Sequence, residues 1–316
     1  MNNVISRKTI SNNKIVRKGE LIFYISMVIW PVIHFLLFWG YVKFGTILLA
    51  FQKYDIYTMS NKFVGFENFV RVWDRMIVGT DPSLHRAFFN SFQAIAINII
   101  ILPIAIFSSY AFYKNMPGSK IYRVAFYIPQ LISIVVLTMM FRYMFYSDFG
   151  PISLMLQSIF GAKIDFLSAE SDLLWPLIWI FSIWSGLGSN VIIMLGAMNN
   201  IPTEITESAL IDGVGFFREL ISMVIPMSIS TISMYILRTA MAASTFLMAP
   251  MLLAVNPGVA GTFLTVPWYI FANGTSTSMN TLIFTTTVGL YLTIATTPIV
   301  ILTKLLVDKL NKKYEG

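Results

Sequence analysis

Four carboxylates crowd the stretch Asn199 to Pro226, NNIPTEITESALIDGVGFFRELISMVIP. Glu204, Glu207, Asp212 and Glu219 are acidic, and Arg218 is the only base among them. Charge-poor apolar segments flank the stretch on both sides. Carboxylates grouped in this way do ionic docking, because each offers acceptors to the lysines and arginines of a partner. The local chemistry predicts helix, corner, helix. Pro202 suits a first helical turn, where its missing N–H would lack a partner anyway. Asn199 or Asn200 can supply the capping oxygen. Glu204 then lies near the positive end of the helix dipole. Ile201, Ile205 and Ala209 recur every four residues and form a short apolar stripe. Gly213 and Gly215 break the run, and Phe216 to Ile225 restarts a helix. The expectation is a short amphipathic helix lying on a membrane surface, with a sharp corner at Gly213.

The second unusual group is Arg238. No Asp, Glu, Lys or Arg follows it until Lys304. An arginine at a bilayer centre costs at least about 2.5–3.5 kcal/mol on insertion scales, so Arg238 must face a wet cavity or another chain. Ser182, Gly186 and Asn190 fall at four-residue spacing, with Ser185 and Ser189 beside them. Small residues let membrane helices approach closely, so that stripe reads as packing or as binding. Several chemistries are absent. The chain holds no cysteine. His34 and His85 are too few and too far apart for a metal cluster, and each reads as a packing or interfacial residue. No phosphate-binding G-x-x-x-x-G-K-[ST] loop, no G-x-S-x-G elbow and no H-E-x-x-H helix occurs. The chain is expected to hold no cofactor and not to be an enzyme.

The elements that must position these residues are membrane spans. Of the 316 residues 56% are hydrophobic and 12% charged, and the mean hydropathy is +0.72. Soluble domains carry about 25% charged residues. The basic residues gather at the ends of apolar runs, which excludes a nucleic-acid surface despite the net charge of +7. Six spans are expected: Leu21–Val42 with Pro31 inside, Ala87–Tyr113 with Pro103, Ile121–Tyr146 opened at Pro129, Leu173–Met198, Leu220–Met248 and Met279–Thr303. Lys43 to Arg86 should form short outer helices with Phe63, Phe69 and Trp73 at the interface. Ser147–Asp172 and Ala249–Ser278 are outer loops. The chain so divides into a basic tail at 1–20, a first span with its outer segment at 21–86, a core at 87–303 containing the loop 199–226, and a tail at 304–316. Most of the 22 Lys and Arg lie in the two tails and the turn at Lys114, Lys120 and Arg123, so both termini are expected in the cytoplasm.

Glu207-Ser208-Ala209, three residues, Gly213, nine residues, then Met223-Val224-Ile225-Pro226 resembles the cytoplasmic loop of binding-protein-dependent ABC import permeases. That loop reads Glu-Ala-Ala, three residues, Gly, nine residues, Ile, one residue, Leu-Pro. Ser208, Met223 and Ile225 depart mildly from it. Asp212 before the glycine is typical of the carbohydrate branch. Phe63–Phe69, FVGFENF, resembles a string after the first span of the first of two paired sugar permeases, the maltose-type or multiple-sugar branch. Tyr127–Ser133, YIPQLIS, and Asp148–Leu156, DFGPISLML, resemble two further family elements, with Pro151 a departure.

The resemblance implies an all-α bacterial cell-membrane protein with the type I ABC importer permease fold. It implies a sugar or oligosaccharide delivered by an extracellular solute-binding lipoprotein. It implies a second permease and two copies of a cytoplasmic ATPase that holds ATP and magnesium. Glu204, Glu207, Ser208, Ala209, Asp212, Gly213 and Pro226 would couple the chain to that ATPase. Arg238, Trp184, Asn190 and Tyr235 are candidates for the sugar pathway, since aromatic faces and fixed polar groups suit sugars. The other reading of Arg238 is a pair with a carbonyl or carboxylate at the permease interface. A non-sugar solute, or a stand-alone secondary transporter with an ion site and repeated halves, are the alternatives.

Overall fold

The computed structural model describes residues 18–161, 164–168, 170–254, 256, 258 and 261–314. The basic segment before Lys18 lies outside them. The chain divides after Leu49 into two units. The first is an apolar rod made of α1 (Lys18–His34), a π-helical stretch Phe35–Tyr41 and α2 (Val42–Leu49). The helix runs through Pro31 instead of ending there. Proline removes one N–H from the ladder, and the winding loosens to the π register four residues later. His34 packs its ring on Phe38 at 4.7 Å. Leu21–Leu49 is long and apolar enough to cross a bilayer.

The second unit opens with an antiparallel hairpin, β1 (Gln52–Asp55) and β2 (Ser60–Phe63), in register Gln52↔Phe63 and Asp55↔Ser60. Only short helices were expected here. Asp55 takes hydrogen bonds from Lys62 and from the Tyr57 N–H. The first of these does most to pull its carboxyl down to about 2. The Asn280 side chain bonds both N–H and C=O of Tyr54, and Asn68 donates to the carbonyls of Ala50 and Gln52. The hairpin's register is therefore held by side chains distant in sequence. After α3 (Glu67–Trp73), Asp81 caps α4 (Pro82–Tyr113) by accepting from the N–H groups of Ser83 and Leu84.

Two expected spans are broken helices. The segment read as Ile121–Tyr146 is α5 (Ser119–Leu131) and α6 (Ile134–Met144), bent by 107°. The break falls at Ile132 and Ser133, whose ψ angles of 138° and 134° are extended; Pro129 lies buried inside α5. Gln130, in the last turn of α5, donates to the Ser185 carbonyl. After α7 (Pro151–Phe160), α8 (Leu174–Asn199) and α9 (Thr203–Ile211), the segment read as Leu220–Met248 is likewise broken. Its helix begins earlier, at α10 (Phe216–Glu219), and continues through π-helical Leu220–Val224 and α11 (Ile225–Met227) to α12 (Ile229–Ala240), with a bend of 77°. Pro226 has no N–H and crowds the carbonyl four residues back. The π turn ahead of it makes room, and the Ser228 N–H bridges the Val224 and Ile225 carbonyls.

The region read as an outer loop carries core. It holds α13 (Met248–Ala254) and α14 (Val266–Asn273), and Leu253, Phe263 and Trp268 are buried with Phe181 of α8 and Val288 further on. Asn90 donates to the carbonyls of Thr262 and Leu264, Trp175 to Thr262, and the Val266 N–H to Ser91. α15 (Met279–Tyr314) then runs 36 residues through Pro298. It passes the expected end at Thr303; Val307 is buried, and the Asn311 side chain accepts from the Ser233 hydroxyl at 2.7 Å. Among the described residues four helices are long and apolar enough to cross a membrane, or six if each bent pair forms one span.

α4 and α8 are the spine of this unit. The Ser109 hydroxyl bonds the Val191 carbonyl at 2.9 Å, and Trp179 donates to Gln93 at 2.7 Å. Ile97, Ile101, Ala105, Val191 and Met194 interlock between them. At one end of the pair Tyr110, Met198, Ile201, Leu220 and Val224 form a separate small core. There Lys114 Nζ meets Glu219 Oε2 at 2.8 Å, with 30% and 6% of the side chains exposed. The Tyr110 hydroxyl donates to the Phe216 carbonyl at 3.2 Å. This seat fixes both ends of the acidic stretch.

Two outcomes test these contacts. A Cβ on Gly188 would lie 2.1 Å from the Phe126 carbonyl oxygen of α5, whereas one on Gly196 meets nothing within 4 Å. Gly188→Ala should destabilise the purified chain by about 1–3 kcal/mol, and Gly196→Ala should not; thermal melting in detergent compares them, and equal melting points would refute the close approach. Lys114→Ala strands a buried carboxylate and should cost about 3 kcal/mol, at the low end for such a pair because Lys114 is part exposed. Lys114→Met with Glu219→Leu should recover most of that loss in the same assay; no recovery would mean that the pair itself is not the source.

Candidate functional site

The acidic stretch folds as a short helix, α9, closed by a glycine turn. Gly213 has φ +66°. Its N–H bonds the Leu210 carbonyl at 3.2 Å, and the Val214 N–H bonds the Ala209 carbonyl at 3.0 Å. These are the two bonds of a Schellman cap, which requires a left-handed residue at that position. Gly213 is exposed and a Cβ there would meet nothing within 4 Å, so the backbone angle alone demands glycine. The start of the helix differs from expectation. Pro202 is its N-cap, with no side-chain cap bond. Asn199 and Asn200 instead finish α8, where the Asn200 N–H bonds back to Ala197. A proline preceded by a helix end cannot leave room for a capping asparagine.

The stripe Ile201, Ile205 and Ala209 faces inward: Ile201 and Ala209 are buried and Ile205 half-buried. Ala209 is 1% exposed. Its small size lets α9 lie close against its own chain. Glu204, Glu207, Ser208 and Asp212 are all exposed, although the Ser208 hydroxyl turns back to the Ile205 carbonyl. Glu219, fourth of the acidic group, is withdrawn into the seat with Lys114. Pro226 lies half-buried at the bent joint before α12. Leu210 and Ile211, not singled out from the sequence, are 76% and 86% exposed. Their signal was available: both are apolar yet fall off the inward stripe. The outward face of α9 therefore combines three carboxylates with two large apolar side chains.

A second site lies midway along the spine. Two clefts of about 230 and 370 Å³ share Asn190 and Arg238. The smaller reaches Asn98 of α4, Ser182, Ser185 and Ser189 of α8, and Thr245. The larger adds Ser230, Thr231 and Tyr235 of α12. Asn98 sits near the middle of the 32-residue α4, and the Tyr235 hydroxyl bonds its carbonyl at 2.9 Å. Arg238 is exposed and forms no ion pair among the described residues. The structure thus brings Arg238, Asn190 and Tyr235 together. Trp184 is separate: it stacks on Phe141 at 6.0 Å and lines neither cleft. It lies on the same helix as Asn190 but six residues away, so it points elsewhere. No group of acidic or histidine side chains able to hold a metal occurs among the described residues.

The fold around these two sites matches a known architecture. The fold superposes on a bacterial ABC transporter involved in the import of the acidic polysaccharide alginate, with TM-score 0.78 and 20% identity, covering 92% of this chain and 96% of that one. A second structure of the alginate transporter, in complex with a periplasmic protein bound to alginate pentasaccharide, gives 0.73 and 19%, covering 94% and 96%. In sequence the chain is 24% identical over 206 residues to the maltose/maltodextrin transport system permease protein MalF of Vibrio vulnificus, 63% of this chain and 38% of that protein. It is 28% identical over 198 residues to the probable ABC transporter permease protein YesP of Bacillus subtilis, 62% of this chain and 61% of that one. The chain thus spans well under half the length of MalF. The model of the binding-protein-dependent transport system inner membrane component matches residues 101–316, which takes in α8, the acidic loop, the end of α4 and most of the residues lining the mid-helix clefts. A chain with this fold, these apolar helices and that match is a multi-pass membrane protein, and it belongs to the family of binding-protein-dependent transport system inner membrane components.

Proposed function

We propose that this chain is the pathway-forming permease of an ATP-driven importer for a sugar or oligosaccharide. Its termini face the cytoplasm, as the clustering of basic residues there favours. An extracellular solute-binding lipoprotein delivers the solute, and a second homologous permease completes the pathway. Two copies of a cytoplasmic ATPase bind ATP and magnesium, and this chain holds neither. The relatives named for maltose and maltodextrin, and the neighbour that imports alginate, support carbohydrate as the solute class.

One observation carries the reading: the outward face of α9 is free, while its roots are built into the spine. Glu204, Glu207 and Asp212 offer acceptors to basic residues of the ATPase, and Leu210 and Ile211 fill an apolar groove. Behind that face Ala209 and Ile205 hold α9 to its own chain, and Gly213 sets the corner. A push on α9 is delivered through Ile201 to α8 and through Phe216 and Glu219 to α4. The clefts with Asn98, Asn190 and Arg238 lie on those same two helices and on α12. ATP-driven closure then rocks the helices that line the solute path between outward and inward access.

The test separates coupling from folding. Glu207→Lys reverses one docking charge on an exposed position, and should lower solute uptake at least about tenfold, since a like charge at an interface costs several kcal/mol. Gly213→Val forces a branched side chain into the left-handed region at about 1–2 kcal/mol and should also abolish uptake. Both should leave membrane insertion and helical content unchanged. Normal uptake by either variant, with the ATPase still co-purifying, would sink the coupling role of this loop.

A further inference from the structure

The mid-helix cleft is unbalanced in both charge and hydrogen bonding. Arg238 is the only charged side chain lining either cleft. The clefts contain no carboxylate to neutralise it, and the ion pairs among the described residues lie elsewhere, at the hairpin, at α3 and at the Lys114 seat. The hydroxyls of the smaller cleft turn back on their own backbone, while Ser230 and Thr231 of the larger cleft keep theirs for a solute. Ser182 donates to the Ile178 carbonyl, Ser185 to Ser182 and Ser189 to Gly186. Thr245 donates to Ala242. The Asn190 amide also points back, to the Gly186 carbonyl at 2.7 Å. What these groups still offer a solute is acceptor lone pairs. Arg238 is the one strong donor, and its planar fork fits an anion bidentately.

We infer that the cleft at Arg238 is a subsite for a saccharide carrying an anionic group, a uronate carboxylate in particular, and not for a neutral sugar. This rests on the carbohydrate reading given above. Ring hydroxyls are donors and suit the acceptor-rich wall of Ser182, Ser185 and Ser189. The carboxylate takes the guanidinium. A neutral sugar would satisfy the wall but would strip water from Arg238 without supplying a counter-charge, which low dielectric makes unfavourable. An ionisable group at the depth of Asn98, midway along a membrane helix, is expected to mark a solute path.

The experiment uses the importer purified through a tag on this chain with its co-purifying subunits, reconstituted in lipid nanodiscs. Binding of trigalacturonate, maltotriose and glucose 1-phosphate is measured for the wild type, Arg238→Gln and Arg238→Lys. Trigalacturonate should bind the wild type more tightly than maltotriose. Arg238→Gln should weaken it about tenfold or more and leave maltotriose unchanged, and Arg238→Lys should restore part of the loss. Dependence of glucose 1-phosphate on Arg238 with none for trigalacturonate would keep the anionic subsite and assign it to phosphate. Equal binding of maltotriose and trigalacturonate, both indifferent to Arg238→Gln, overturns the inference and leaves the carbohydrate reading standing. Loss of a co-purifying permease in Arg238→Gln, with saccharide affinity unchanged, overturns it in favour of a carboxylate on that partner. If none of the three probes binds the wild type, the carbohydrate reading itself falls, and the inference with it.

Discussion

The packing of α4 against α8 is the contact on which the remainder depends. Its interlocked apolar residues and the buried Ser109–Val191 bond make one rigid member from two helices. Everything of functional interest is attached to that member. The clefts open at its middle, through Asn98 and Asn190. The acidic loop grows from its end, through Asn199 and Lys114. At about 1.5 Å per residue, Asn98 and Lys114 are separated by roughly 24 Å of unbroken helix. Pro103 lies between them and removes one ladder bond, and the packing on α8 with the Ser109–Val191 bond stiffens the stretch beyond it.

A second constraint shapes the elements around the spine. In an apolar surround each backbone polar group needs an internal partner, so a helix can break only where other groups take over its bonds. At the first break the Leu137 N–H donates to the Ser133 carbonyl, and the Gln130 side chain ties α5 to the Ser185 carbonyl of α8. At the second the Ser228 N–H serves two carbonyls at once. The backbone from Thr262 to the start of α14 finds its partners in Asn90, Ser91 and Trp175, all on the spine.

This explains what could and could not be read from the chain. The glycine turn was legible at Gly213 because a Schellman cap is set by neighbours within six residues. The inward stripe of Ile201, Ile205 and Ala209 was legible because helical period is local too. The broken spans were not. Hydropathy sums over a window, and Ile121–Tyr146 is equally apolar whether straight or bent by 107°. The hairpin at Gln52–Phe63 shows no alternation, and its clamp, Asn280, lies 226 residues from Tyr54. The region after Met248 read as loop because Pro250 and Pro267 punctuate it. Its core character comes from Leu253, Phe263 and Trp268 meeting Phe181, which is a long-range fact. Spacing placed Ala209 on the inward face, and the structure shows its own chain lying against that face.

The two isolated charges of the bundle then fall into opposite roles. Glu219 is withdrawn from water and matched by Lys114 at 2.8 Å. A buried pair adds little net stability, but removing either partner is severe, so the two behave as a pin that holds α10 to α4. Arg238 has no such partner among the described residues and stays exposed. A charge that is paired resists motion, and one left unpaired at mid-depth is available to bind. In the proposed importer the pin lies where force would be transmitted, at the root of α9. The free charge lies where a solute would be held briefly and released. One spine carrying both, about 24 Å apart, gives each end what it needs: stiffness at the loop and an unmet electrostatic demand in the cleft.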